Sequence, residues 1–377
     1  MPSLFTNGWD PSLYSFDLGF TRDVGNLVTK LQELDIADIV PGTESGVLLA
    51  DRLKGMLAIP GNDPSLSIAR RDKHAMAHAA SAAGIRVPAT TAVCSAAQAV
   101  EWLRGSRFHE IVAKPPSSAG GDNVHFCHDE ETLAAAVERI LSAKNLFGRI
   151  NQKAVIQERL NGTECYVNSV SVDGAHSMTE MWVYRKMTLD GRTVYDYEEP
   201  LDPASQDAMT LQRFVIRVLD VLGIRHGAAH TEVMLTADGP ALIETGARLG
   251  GSTLPWVSEK FSGTSQALAL ASVLARPGEV PPDVADWAVR IRMVNLINRT
   301  SGIARDLGWV NQLKTLPTSV AVVPAVAPGT YIPATTDLST SPGLVYFAHQ
   351  DIDAIEGDYT TLRHLEHSGL YTCDSGS

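Results

Sequence analysis

HTEVMLTADGPALIETGARLGG, residues 230–251, is the stretch from which the rest of the chain is best read. Two runs, His230 to Thr236 and Pro240 to Thr245, have strand composition and flank Asp238-Gly239, a strong hairpin signal. Glu232 and Glu244 stand twelve positions apart on the two predicted strands, so the hairpin can bring their carboxylates side by side on one sheet face. Two hard oxygen ligands on a rigid sheet suit Mg2+, which keeps several waters and completes its octahedron with substrate phosphates. Arg248, just beyond the second strand, is placed to neutralise charge on a phosphoryl group in transfer. A pair of acidic residues on a hairpin also reads as a solvated edge. The apolar neighbours Val233, Leu235, Leu242 and Ile243, and the Gly-Ala-Arg-Leu-Gly-Gly that follows, favour an inward pair.

Upstream of the hairpin, strand-like runs cover Ala154 to Glu158, Glu164 to Val172 and Met178 to Lys186, punctuated by Asn161-Gly162 and Asp173-Gly174. A helix over Asp207 to Leu222 separates them from residue 230. Earlier still, a strand over Glu110 to Lys114 breaks at Pro115-Pro116 into the small-residue loop Ser117 to Gly121. Val124 to Cys127 and a helix over Glu130 to Leu141, capped by Asp129, follow. A helix over Lys73 to Ala83 is closed by Gly84 and Pro88, and Thr90 to Val93 reads as a strand. Near the N-terminus, helical spacing over 24–34 and over Val47 to Leu57 flanks the apolar run Ala37 to Val40, which ends in Pro-Gly. That pattern predicts a strand, a glycine-containing loop and a helix, as in open α/β sheets. Downstream, Thr264 to Leu274 is helical, and the chain from about Val289 is mixed and rich in Val, Thr and Pro-Gly turns.

The chain has 377 residues, 44% hydrophobic and 20% charged, a folded globular composition long enough for two or three domains. A formal charge of −12 argues against nucleic acid or an anionic membrane surface as the main partner. The 4 cysteines, Cys94, Cys127, Cys165 and Cys373, form no CxxC pair, so neither a zinc cluster nor a disulfide framework is indicated. The N-terminus lacks a basic region followed by an apolar one, and apolar runs such as Ala267 to Ala275 fall short of a membrane span. A cytoplasmic protein is expected.

With HTE, eleven residues, then E-TGARLGG, the chain resembles the ATP-grasp superfamily, and within it the L-amino-acid ligases that join a carboxylate to an amine. The resemblance covers nearly the whole chain. It implies an α/β (α+β) fold whose two subdomains clamp ATP. The expected division is a shortened Rossmann-like domain over 1–68, a small subdomain with a phosphate lid over 69–157, a large subdomain with the metal site over 158–286, and a mixed C-terminal extension over 287–377. The N-terminal region is short for the family, so either the start is truncated or that domain is reduced.

Lys73 in RRDKHAM and Lys114 in IVAKPPSS match the family's two nucleotide lysines, although a lone lysine is ordinarily a surface residue. The loop containing Ser117, Ser118, Gly120 and Gly121 resembles the lid over the phosphates, or is a simple turn. QERLNGTECYV, residues 157–167, resembles the hinge, with Glu158 and Leu160 at adenine and Glu164 at the ribose; a plain hairpin with exposed glutamates is the alternative. Glu232 and Glu244 are the implied Mg2+ ligands, with Mn2+ as a substitute, and Arg248, Lys114 and His230 the implied catalytic groups. His230 either orients Glu232, touches the acyl phosphate or is a structural histidine.

Trp182, Tyr184 and Lys186 alternate on one strand and point either into a substrate pocket or into a subdomain contact. Glu44 either meets a substrate amino group or is a solvated loop carboxylate. The resemblance implies small carboxylate and amine substrates, amino acids first among them, joined in an amide bond, as in dipeptide synthesis, through an acyl phosphate with release of ADP and phosphate. A homodimer is compatible with the family. The alternatives are an ATP-grasp ligase of carboxylase or purine-pathway type, or an inactive nucleotide-binding regulator.

Overall fold

Short polar residues start most of the helices. Asp23, Asp72, Ser95, Asp129, Ser205, Ser265 and Asp351 each accept a backbone N–H from the first turn they precede. The computed structural model describes residues 10–21, 23–118, 122–145, 148, 150–189, 192–251, 253–284 and 286–373. Its helices are α1 (Val24–Glu33), α2 (Val47–Leu57), α3 (Lys73–Ala82), α4 (Ala96–Gly105), α5 (Glu130–Ser142), α6 (Gln206–Val221), α7 (Pro255–Ser262), α8 (Gln266–Ala275), α9 (Gly308–Lys314) and α10 (Ile352–His367).

The strands form three antiparallel sheets. β1 (Thr90–Val93), β2 (Ile111–Lys114), β3 (His125–Cys127) and β4 (Ala154–Glu158) make the first, in the order β1-β4-β2-β3. The second contains β5 (Thr163–Val172), β6 (Ala175–Leu189), β7 (Arg192–Pro200), β8 (Gly227–Thr236), β9 (Gly239–Gly246), β10 (Arg290–Asn295), β12 (Ser319–Pro324) and β14 (Gly343–His349). Its order is β12-β14-β10-β7-β6-β5-β8-β9. β11 (Gly302–Ala304), β13 (Tyr331–Ile332) and β15 (Thr372–Cys373) form a small third sheet.

Strand alternation separates the two faces of the large sheet. Cys165, Val167, Met181, Val183, Val233 and Leu242 point into a core closed by α6 and α3, where Leu211, Val215, Val218 and Leu219 are fully buried. Each such side chain contributes roughly 1.5–3 kcal/mol by burial. The other face carries Tyr166, Trp182, Met293 and Tyr346, packed with Val257 of α7. Among the described residues no helix is long and apolar enough to cross a membrane.

Most of the predicted elements stand where the pattern put them, and the N-terminal segment is the exception. Ala37 to Val40 forms no strand, and no strand precedes Thr90 among the described residues, so the expected Rossmann-like sheet is replaced by helices. The polar groups there are satisfied locally. Asp38 accepts from Ile39 N–H at 2.7 Å and pairs with Lys54 Nζ at 2.6 Å, Asp35 turns the chain at φ 49°, and Pro41 has no N–H to give a ladder.

This segment is fastened by Arg70, which is fully buried and donates to Asp51 Oδ2 at 2.7 Å, Asp63 O at 2.8 Å and Leu222 O at 2.9 Å. Arg70→Met leaves the Asp51 carboxylate with the Ser67 hydroxyl and takes the side-chain donor from Leu222 O, while Asp63 O keeps the Leu66 N–H. Breaking one side of a buried pair costs about 3 kcal/mol or more. The variant is expected to unfold at a correspondingly lower urea concentration; an unchanged midpoint would show that the segment is held by other contacts.

Candidate active site

β8 and β9 form the predicted hairpin, with a register that the spacing of the glutamates demands. Thr236 faces Gly239 and Val233 faces Leu242, so a regular ladder would set Glu232 opposite Ile243 and turn Glu244 to the other face. A bulge between Glu232 and Val233 inserts one residue in β9, and Glu244 becomes the partner of Glu232. Glu232, Ile243 and Glu244 consequently line one cleft.

Lysines arrive from elsewhere in the chain. Lys73, the first residue of α3, sets Nζ 2.6 Å from Glu244 Oε2 and donates to Ser118 O at 3.2 Å. Lys114 ends β2 and is buried. Burial pulls its ammonium down to about 8 and neighbouring Lys73 acts in the same direction, against the opposite pull of Glu244, Glu232 and Glu164. Burial by itself would raise Glu244, but Lys73 and Lys114, then Arg248, hold its carboxyl well below the usual carboxylate range. The two glutamate side chains keep 21% and 23% exposure toward the cleft. An anionic carboxylate beside a second one fits a hard divalent cation, and the two ammonium groups suit phosphate oxygens.

The cleft has a volume of about 560 Å³ and lies between the first and second sheets. Residues 159–162 connect β4 to β5, and 158–164 run along the cleft wall. Gly162 is required there, because a Cβ would stand 2.1 Å from Leu235 O on β8. Glu158 accepts from Ala89 N–H at 3.2 Å, Leu160 lines the cleft, and Glu164 accepts from Lys186 Nζ at 2.6 Å and Tyr195 OH at 3.3 Å. Tyr184 and Lys186 face the cleft; Trp182 instead packs in the layer with Tyr166 and Trp287, ring centroids 6.2 and 5.3 Å apart.

Ser118 hydrogen bonds to Asp122 and lines the cleft, and Ser117 O accepts from Asn145. Gly120 and Gly121, the predicted lid glycines, lie outside the described residues. Arg248 and His230 stand behind the carboxylates. Arg248 Nε is 2.7 Å from Glu44 Oε2 and its Nη1 donates to Leu249 O, while Glu44 Oε1 is 3.4 Å from Arg71 Nη1. Glu44 is thus an arginine partner here. His230 Nε2 is 3.6 Å from Glu232 Oε1.

Sequence reasoning missed Arg159, Tyr195, Met234 and Thr336 to Leu338, all on the cleft wall. Met234 was readable, two residues after Glu232 on the same strand face. The others depend on long-range pairing that no local signal announces.

Residues 71–190 match the ATP-grasp (A) domain family of phosphoribosylglycinamide synthetase. Over 360 residues the chain is 31% identical to dapdiamide A synthase of Enterobacter agglomerans, covering 92% of this chain and 84% of that one. The chain is an ATP-grasp ligase. Its fold is similar to that of an L-amino acid ligase from Bacillus licheniformis, with a TM-score of 0.72 at 18% identity, covering 90% of this chain and 82% of that one. An ADP complex of N5-carboxyaminoimidazole ribonucleotide synthetase gives a TM-score of 0.68 at 13% identity, covering 94% and 87%.

Behind the carboxylates of this ATP-grasp ligase lies a buried glutamate held toward its neutral form. Tyr166 faces Glu232 across β5 and β8 and donates its hydroxyl to Glu198 Oε2 at 2.9 Å. Burial pushes Glu198 from 4.5 up to about 8. Between those values the folded protein keeps a proton that the unfolded chain releases, so this group's contribution to stability declines as pH rises through the window. Glu198→Gln, neutral at every pH, is expected to melt at a higher temperature than wild type at pH 8 and to lose that advantage by pH 5. A difference independent of pH would refute the assignment.

Proposed function

We propose that this ATP-grasp ligase joins a small carboxylate, most simply an amino acid, to an amine through an acyl phosphate. The observation that carries the reading is the pairing of Glu232 with Glu244 by a bulge, on the same cleft as Lys73 and Lys114. In this reading residues 69–157 form the small subdomain, 158–286 the large one, and 1–68 and 287–377 flank them. Adenine lies against residues 158–160, Met234 and Ile243, and the ribose near Glu164.

A carboxylate is too poor an electrophile for an amine. Attack of its oxygen on the γ-phosphorus breaks the bond to the bridging oxygen, releases ADP and leaves an acyl phosphate. The amine then adds to the carbonyl carbon, the carbon–oxygen bond breaks, and phosphate departs with the amine's proton. A magnesium ion held by Glu232 and Glu244 would offset the phosphate charge. Lys73 and Lys114 bind phosphate oxygens, Lys114 with the strength that burial lends a charge. Arg248, steadied by Glu44, neutralises the charge that builds on the transferred group or the acyl phosphate. The amide product accords with the amide-forming activity that the name dapdiamide A synthase gives its relative.

The test is turnover of ATP against pairs of amino acids, with the carboxylate labelled by oxygen-18. ADP and phosphate are expected, with one labelled oxygen carried into phosphate. Glu244→Gln should lower kcat by about a hundredfold or more, the scale for loss of a group that stabilises transition-state charge. AMP and pyrophosphate, with label in AMP, would overturn the acyl-phosphate route.

A further inference from the structure

Behind the paired carboxylates a polar chain runs through the interior of the large sheet. Glu232 and His230 lie on the same face of β8, and His230 faces Asn168 of β5, which faces Glu180 of β6. His230 Nδ1 is 2.8 Å from Asn168 Oδ1, Asn168 Nδ2 donates to Glu180 Oε2 at 2.8 Å, and Ser258 of α7 donates to Glu180 Oε1 at 2.5 Å. Asn168, Glu180, Ser258 and His230 are all buried, the first two at 0% and 1% exposure.

The donors and acceptors fix every orientation. Glu180 accepts from both sides, so the asparagine must turn its amide NH2 to the carboxylate and its oxygen to the histidine. The histidine must then carry hydrogen on Nδ1, which fixes the ring and stands its Nε2 edge 3.6 Å from Glu232 Oε1, beyond hydrogen-bond reach, as a wall against which that carboxylate lies. Tyr166 holds the imidazole in place, with ring centroids 5.1 Å apart. The same asparagine abuts the loop that carries Arg248, since a Cβ on Gly250 would meet Asn168 Oδ1 at 2.7 Å.

We propose that Asn168 and Glu180 are positioning residues: through His230 they hold Glu232 in the orientation that binds the metal–nucleotide complex. The inference rests on the reading of Glu232 as a metal ligand. A carboxylate and an amide at the centre of a sheet cost more than apolar residues would, and burial raises Glu180 further from its ionised state. A core that served packing alone would gain by discarding them; a chain that ends 3.6 Å from a cleft carboxylate sets that group's position.

The experiment measures Mn2+ affinity in the presence of ATP by electron paramagnetic resonance on the full chain, alongside the Mg2+ activation constant of turnover. Asn168→Leu, similar in size but without hydrogen bonds, is expected to weaken Mn2+ binding about tenfold or more, the range for outer partners of metal ligands. The KM values of the organic substrates should be unchanged. Glu180→Gln can still accept from Asn168 and donate to Ser258, and should bind Mn2+ as wild type does. Ser258→Ala, the milder change should Asn168→Leu fail to fold, should weaken binding about threefold, a fraction of the same effect. Unaltered Mn2+ affinity in folded Asn168→Leu, or in Ser258→Ala if only that variant folds, would overturn the positioning role. Glu232→Gln separates the two claims: if it too leaves Mn2+ binding unaltered, the metal assignment falls; if it alone weakens binding, the relay falls and the metal assignment stands.

Discussion

The turn between Thr236 and Gly239 gives β8 and β9 a register in which Glu232 and Glu244 would face opposite sides of the sheet, and the bulge at Ile243 cancels that mismatch. Everything at the cleft depends on this one inserted residue. Without it Glu244 would turn toward Val233 and Leu242, into a core that offers a carboxylate no partner. With it, Glu244 meets Lys73, and Ile243 is re-aimed to line the cleft beside the carboxylates. Bulges concentrate near functional sites for this reason, since they change where a side chain points while leaving the strands paired.

Two carboxylates directly opposite each other on neighbouring strands repel. The fold offsets the repulsion with cations from outside the hairpin: Lys73 at the start of α3 and Lys114 at the end of β2 in the other sheet. The consequence is mutual. The lysines hold Glu244 anionic, while Lys114, buried and next to Lys73, is held back from full basicity. Opposite charges on opposite walls would give the metal and polyphosphate proposed above partners already arranged, the condition under which electrostatic stabilisation is most effective.

How much of this was legible in the sequence follows from the range of each signal. The hairpins around Asp173-Gly174 and Asp238-Gly239, and the helix capped by Asp129, were readable because turn chemistry, capping and periodicity are local. β7 was missed: RTVYDYEEP is charged and lacks a clean apolar alternation, and it is a strand because β6 and β10 flank it and bury Val194, Asp196 and Glu198. The glutamates were found, but their spacing concealed that a hairpin with this turn needs a bulge to pair them. Asn168 and Glu180 lie in runs that read as ordinary strand, and only the register across β5, β6 and β8 places them behind His230. Ala37 to Val40 was misread for the complementary reason: its apolar composition fits a strand, but Asp38 is taken by Lys54 and no strand pairs with it among the described residues.

The helical N-terminal segment still reaches the site, and the residues 70–73 show how. Arg70 turns inward and ties Asp51 and Asp63 to the end of α6. Arg71 turns toward Glu44, which in turn holds Arg248. Asp72 caps α3 by accepting from His74 and Ala75, and Lys73, the first residue of that helix, takes Glu244. Four successive residues thus fasten the segment, steady the arginine, begin the helix and balance the carboxylate. Because four consecutive residues carry all of these contacts, a displacement of the N-terminal segment would move Arg248 and Lys73 together. The N-terminal segment therefore contributes to the geometry of the cleft around Lys73 and Glu244, although none of its own residues before Lys73 lines that cleft.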